Sequence, residues 1–273
     1  MNLQQAFQSA FFDTMLVIYL VCCVSSAIGF YKFVYFMSIG YGLAIAASSL
    51  TMLLQYKDSV TLLASMLCLL YIAYGLRLSS FLLIRELKQK SYRAMISKEF
   101  GDKPMPFFVK MVIWLACSSL YVAQISPVLY RLENRKEAFA SAVVGILIML
   151  FALVLETIAD RQKAKAKVHD PQRFCSTGLY RWVRCPNYLG EVLFWTGSLI
   201  SGFGALITGL QYIVAISGYL LLVYVMLSGA KRLEKRQNLR YQKDEEYQRY
   251  VQNTPILFPF IKLYSLKNAR FIV

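Results

Sequence analysis

A chain of 273 residues that is 58% hydrophobic and carries a formal charge of +15 is not an ordinary soluble domain. Its charge is confined to a few blocks between long apolar runs, the pattern of a polytopic membrane protein. Nucleic-acid binding does not fit either, because the Lys and Arg residues flank the apolar runs instead of forming an independent basic module. The first ten residues contain no Lys or Arg. They lack the charged start of a signal peptide and the Arg-rich character of a transit peptide, so the first apolar run is expected to be a retained span.

A bilayer core of ~30 Å needs about 20 mostly apolar helical residues. This predicts an all-α membrane bundle with seven spans, at 11–31, 34–55, 60–84, 107–130, 139–160, 187–203 and 206–228. With that count three basic segments share one side. These are the 85–106 loop (Arg85, Lys88, Lys90, Arg93, Lys98, Lys103), the 161–186 loop and the tail after 228. The other side holds only Lys57, Arg131, Arg135 and Lys136. The excess of cations puts the N-terminus outside and the C-terminus in the cytosol or matrix. An endoplasmic-reticulum, mitochondrial inner or bacterial inner membrane satisfies this rule equally. The spans divide into an N-terminal two-span segment, 1–58, and a larger membrane domain, 59–273, ending in a cytosolic segment, 229–273.

Several polar residues fall inside or beside the spans. Tyr71, Tyr74 and Arg77 are spaced by three in the third span. Intramembrane charges usually face a bundle interior, although an Arg can also snorkel to the interface. The fifth span ends L-V-L-E-T-I-A-D-R-Q-K, with Glu156 and Asp160 four apart on one face. The 161–186 loop carries Arg161, Lys163, Lys165, Lys167, Arg173, Arg181 and Arg184. Alone, it reads as a patch for anionic lipid headgroups; a cradle for ligand phosphates is the second reading. His169 is the only His, with no partner in sequence for a metal site. Six cysteines show no C-x-x-C pair, so neither a zinc site nor a disulfide framework is supported. Pro186 suits the first turn of a helix. From it, Asn187 and Glu191 share a face at the mouth of the sixth span, which makes Glu191 a functional candidate.

Residues 178–191, G-L-Y-R-W-V-R-C-P-N-Y-L-G-E, resemble the G-L-W-R-Y-S-R-H-P-N-Y-F-G-E signature of the steroid 5-alpha-reductase superfamily, and most closely its DUF1295 branch. Y-G-L-R-L-S in the third span and E-x-I-A-D-x-Q in the fifth are similar to that branch as well. So is the tail, with S-G followed by a Glu, then E-Y-x-x-Y and x-P-x-x-P. A shorter R-H-P-x-Y-x-G pattern also occurs in isoprenylcysteine and phospholipid methyltransferases, but the Asn and the Gly-Glu pair favour the reductase side. The likeness runs from the third span to the tail.

The resemblance implies reduction of a C=C bond conjugated to a carbonyl in a lipid or steroid-like substrate, with NADPH as cofactor. It assigns Tyr74 as the group that polarises the carbonyl. It assigns Glu156, Asp160, Tyr180, Arg181, Arg184, Asn187, Tyr188 and Glu191 to the cofactor, and a tail that folds over it. No G-x-G-x-x-G is present, so a Rossmann domain is not implied. Two positions depart from the pattern: Cys185 stands where it has His, and the early Gln-Glu pair is missing, with no Glu before Glu86. These departures keep a second reading open, a non-catalytic accessory subunit of a membrane complex that retains nucleotide or lipid. A lipid methyltransferase using S-adenosylmethionine is the third. Membrane lipids, an apolar lipid substrate and other membrane subunits are the expected partners.

Overall fold

The computed structural model describes residues 3–89, 93, 105–269 and 272, with side chains from Thr14 onward. Lys90, Lys98 and Lys103 of the basic loop, and Arg270 of the tail, lie outside the described residues. Among the described residues every regular element is helical. They are α1 (Leu3–Ser26), α2 (Ile39–Gln55), α3 (Leu62–Lys88), α4 (Phe107–Glu133), α5 (Phe139–His169), α6 (Pro186–Gly202), α7 (Gly209–Tyr241) and α8 (Glu245–Asn253). Short 3-10 turns cover Ala27–Phe30, Phe33–Met37 and Gly178–Arg181.

Four of the expected spans are carried by helices long and apolar enough to cross a membrane, α3, α4, α5 and α7. This marks the chain as an integral membrane protein. Two shorter apolar helices cover Thr14–Phe30 and Ile39–Gln55. The helix starts follow the sequence. Thr61 caps α3 by accepting from the Ala64 N–H, Pro186 opens α6, and Asp244 caps α8 through two N–H groups. The helix ends do not follow hydropathy. α5 continues beyond residue 160 and α7 beyond 228, because the basic stretches that follow are rich in Ala, Lys, Arg, Gln and Leu, all good helix formers. α5 stops only before Asp170-Pro171.

The chain divides into two compact units, Met1–Ile146 with Ser198–Gly218, and Leu147–Gly197 with Tyr219–Val273. In the first unit α2 and α3 pack through small residues. A Cβ added at Gly75 would lie 2.2 Å from the Gly42 carbonyl oxygen, and one at Gly42 would lie 2.4 Å from Ser79 Oγ. Without a hydrophobic drive between helices in lipid, such close backbone contact is a main source of cohesion. Gly75→Ala is therefore expected to push the helices apart and cost about 1–3 kcal/mol. Thermal unfolding in detergent measures this, and an unchanged transition would refute the contact.

The end of α4 differs from expectation. Arg131 does not lie in a loop but is buried inside the helix terminus. Its guanidinium donates to the carbonyls of Lys136, Glu137, Ala138 and Ser201, and to Ser141 Oγ at 3.1 Å. The Lys136 and Glu137 carbonyls lie in the α4–α5 turn and that of Ser201 at the end of α6, and one Arg gathers them. Asn134 and Gln211 continue this network, with Asn134 Nδ2 donating to the Ala205 carbonyl at 2.8 Å.

Candidate functional site

Eight of the nine residues singled out in the sequence lie in the second unit, and Tyr74 lies in the first. Tyr74 is fully buried on α3, and its hydroxyl donates to the Tyr41 hydroxyl at 3.2 Å. The Tyr41 ring packs in turn against Tyr121, with centroids 5.1 Å apart. Tyr71, one turn before Tyr74, shares a hydrogen bond with Ser198.

In the second unit α5 and α6 touch along their backbones. A Cβ at Gly190 would lie 2.8 Å from the Glu156 Cβ and 3.2 Å from its Cα. Glycine is required there by the close approach. The approach sets Glu156 beside the residue that precedes Glu191. Both carboxylates are buried, as is Asp160 one turn beyond Glu156. Glu191 accepts from the indole N–H of the fully buried Trp195 at 3.2 Å. Tyr188 packs its ring against Gly229 of α7, where an added Cβ would stand 3.3 Å from it. Asn187 is half-buried between Pro186 and Tyr188.

The loop ahead of α6 is built by three contacts. Gly178 has φ +62°, and Gln162 of α5 fills the space beside it while accepting from the Leu179 N–H at 2.9 Å. Tyr180 is buried, and its hydroxyl points to the Ala159 carbonyl. The Tyr180 carbonyl accepts from the Tyr250 hydroxyl at 2.7 Å, which ties α8 to the loop. Phe174 joins this layer, with its ring 5.2 Å from Tyr247 and 5.4 Å from Tyr250. Burial raises the Tyr180 and Tyr250 hydroxyls well above the usual phenol range, and the Asp160 carboxylate adds to the effect at Tyr180. Arg181 ends the 3-10 turn and is exposed.

Arg184 is placed differently. It is buried against Glu234 of α7, with Nη2 to Oε1 at 3.2 Å and side chains 2% and 4% exposed. Nη2 also donates to the Tyr264 carbonyl. Glu234 uses its second oxygen to accept from the Leu266 N–H at 2.9 Å. Arg184 Nε and Ser228 Oγ are buried with no hydrogen-bond partner among the described residues. Glu234 was not predicted as a site residue: in the run K-R-L-E-K-R it reads as part of a solvated, basic helix. Only the S-G…Glu pattern of the tail hints at it.

Cys185, where the signature has His, is an apolar filler. It lies in one buried cluster with Val192, Ala230, Ile256 and Leu257. Burial pushes its thiol up to about 11, against the pull of the Lys163 and Arg184 cations. Tyr247, also buried, is pushed up to about 12. For these groups the folded values exceed the unfolded ones, so the unfolded chain loses protons first as pH rises. Their stabilisation is fully present below the ordinary thiol and phenol values and is lost as pH climbs through the folded values. For Cys185, raised from 9.0 to about 11, the loss is about 2–3 kcal/mol. These groups are expected to leave thermal stability unchanged up to about pH 8.5 and to lower it above that. A transition unchanged to strongly alkaline pH would contradict this burial.

A family model described as a protein of unknown function, DUF1295, matches residues 21–254. No curated protein and no solved structure matches the chain.

Proposed function

The chain belongs to the DUF1295 family, and on that premise we propose that it is a membrane-embedded oxidoreductase. It reduces a C=C bond conjugated to a carbonyl in a lipid or steroid-like substrate, with NADPH as the reductant. The observation that carries this reading is the trio of buried carboxylates Glu156, Asp160 and Glu191 on the apolar helices α5 and α6. Carboxylates at such depth are expensive unless they face a partner, a polar ligand or a cavity, and three of them close together mark a functional candidate.

The residues present fit such a cofactor. Arg184 Nε, a donor, and Ser228 Oγ, a donor and acceptor, are buried and lack hydrogen-bond partners among the described residues. They suit a ligand rich in hydroxyl and phosphate oxygens. In this reading Glu191 and Asn187 accept and donate hydrogen bonds at the nicotinamide carboxamide. Glu156 and Asp160 accept from ribose hydroxyls, with Tyr180 and Tyr188 walling the site. Arg181 and the free edge of Arg184 meet the phosphates. When bound, NADPH supplies the hydride for the β-carbon. Tyr74 is the donor to the carbonyl oxygen as negative charge grows there. The hydroxyl that it gives to Tyr41 in the structure can rotate, and Tyr41 can then hold the Tyr74 oxygen.

The same reading has seven spans, with α1, α2 and α6 completing the four long ones. It places the N-terminus outside and the exposed cations Arg161, Lys165, Arg232 and Lys235 on the cytosolic or matrix side.

Loss of nicotinamide absorbance, with purified protein and a panel of lipid enones, tests the reaction. Tyr74→Phe is expected to keep NADPH binding and lose turnover by about 10²–10⁴-fold. A second reading is favoured by one observation, the capture of Arg184 by Glu234 and the tail. It is a non-catalytic subunit of a membrane complex that retains nucleotide or lipid. NADPH binding with no turnover on any enone would select it. Binding of S-adenosylmethionine in place of NADPH would select a methyltransferase.

A further inference from the structure

The tail beyond α8 is held by two side chains of α7. Glu234 accepts from the Leu266 N–H, and Lys231 donates to the carbonyls of Ala269 and Ile272 at 3.1 and 2.6 Å. Before these anchors, residues 256–263 double back on themselves. The Ile256 N–H donates to the Leu263 carbonyl at 2.8 Å, and the Ile261 N–H to the Phe258 carbonyl at 3.2 Å. At the base of this hairpin, the Arg184 and Cys185 N–H groups donate to the carbonyls of Pro255 and Ile256 at 2.9 and 3.0 Å. The hairpin is thus fixed beside the start of α6.

Its depth follows from what it packs with. Ile256 and Leu257 share a buried cluster with Val192 of α6, and Val223, Met226 and Leu227 of α7 pack against that cluster. α7 is long and apolar enough to cross a membrane and carries no charge before Lys231. At 1.5 Å of rise per residue, Val223 lies about 12 Å from Lys231 along the helix axis. The polar interface is only about 5–8 Å thick on each side of the bilayer core. A cluster spanning these levels reaches from the headgroups toward the acyl chains.

The turn presents apolar side chains outward. Phe260 is 97% exposed and Ile261 54%, although both belong to a segment held at its two ends. Lys262, which follows, is exposed as well.

We propose that the 256–263 hairpin is seated in the membrane interface, with Phe260 and Ile261 on lipid acyl chains and Lys262 on anionic lipid phosphates. Lys262 lays its stem along apolar surface and sends its ammonium to the headgroups. The occupant is the bilayer, since Phe258 and Leu263, on either side of the tip, pack against the cluster that α7 joins, and α7 is long and apolar enough to cross a membrane. The hairpin therefore anchors the tail to lipid as Glu234 and Lys231 anchor it to protein. This inference does not rest on the reductase reading.

The test is a Phe260→Cys variant labelled with an environment-sensitive nitrobenzoxadiazole maleimide, in nanodiscs of phosphatidylcholine and phosphatidylglycerol. The native cysteines are all buried, and wild type labelled in parallel sets the background. A label at Gln252→Cys, on the exposed face of α8, is the aqueous control. The tip label is expected to emit further to the blue, to be quenched by lipids with a doxyl group near the carbonyl end, and to resist iodide. The control label is expected to behave oppositely. Ile261→Cys should repeat the tip result. Iodide quenching at the tip equal to that at the control overturns the proposal. Shielding from iodide without doxyl quenching overturns it too, because protein, such as a second copy of the chain, then covers the tip.

Discussion

Arg184→Ala is expected to destabilise the purified protein by about 3–5 kcal/mol, because it leaves the Glu234 carboxylate buried without its cation. The loss is larger than that of an ordinary ion pair for two reasons. Both side chains are almost wholly removed from solvent, and each also holds the tail, Arg184 through the Tyr264 carbonyl and Glu234 through the Leu266 N–H. The exposed pair Arg173–Glu246, at 2.5 Å with side chains 53% and 61% exposed, is the contrast. Solvent screens it, and Glu246→Gln is expected to cost less than about 1 kcal/mol. Reaction of the buried cysteines with a thiol-reactive dye during heating reports both transitions. The double variant Arg184→Met with Glu234→Leu should recover much of the loss, since it removes the stranded charge. Equal effects of the two single substitutions, Arg184→Ala and Glu246→Gln, would refute the buried pair.

Gly190→Val is expected to abolish cofactor binding and to cost at least the ~1–3 kcal/mol typical of overpacking. The new Cβ meets the Cβ, Cα and backbone N of Glu156 between 2.8 and 3.2 Å. A helix backbone cannot turn aside as a side-chain tip can, so α5 and α6 must separate. Separation moves Glu156 and Glu191 apart, and with them the proposed cofactor site. Two other glycines calibrate the effect. At Gly229 a Cβ meets only the Tyr188 ring, at 3.3 Å, which can shift by a few tenths of an ångström. At Gly209 nothing lies within 4 Å. Gly229→Ala should therefore be mild. Gly209→Ala should be neutral or slightly stabilising, since Ala forms helix better than Gly. Comparable melting of all three variants would show that α5 and α6 are not in close contact at Gly190.

The helices themselves were legible in the sequence wherever an apolar run or a cap marked them. Phe107, Phe139 and Pro186 open helices at or within one residue of the expected positions. What hydropathy could not give is where a helix ends in water. The level of the lipid boundary and the end of hydrogen bonding are separate properties, so α5 and α7 run on through their Lys- and Arg-rich stretches. Arg131 shows a related limit. Its charge reads as a stop signal, yet its partners are carbonyls of the turn that follows it and of Ser201, 70 residues on, and composition carries no trace of them. In the second unit, the spacing of Glu156 with Asp160, and of Asn187 with Glu191, was readable because helix periodicity fixes neighbours within a face, whereas the approach of the two helices at Gly190 was not. The partners of Arg184 were not, since Glu234 stands 50 residues away and the Tyr264 carbonyl 80. The departure at Cys185 likewise acquires meaning only from its neighbours, which make it part of the apolar seat of the tail.

The structural role of Arg184 also decides how the central claim is best tested, because a variant that loosens the tail would lose any ligand for trivial reasons. The measurement is NADPH binding to detergent-purified protein, followed by nicotinamide fluorescence, with wild type beside Glu191→Gln and Arg181→Ala. Glu191→Gln keeps the shape of a buried side chain while changing its charge and donor pattern. Arg181 is exposed and can be truncated without disturbing the core. The account predicts specific binding by wild type and weaker binding by both variants, with melting temperatures unchanged. No binding by well-folded wild type, or binding indifferent to both substitutions, would contradict it.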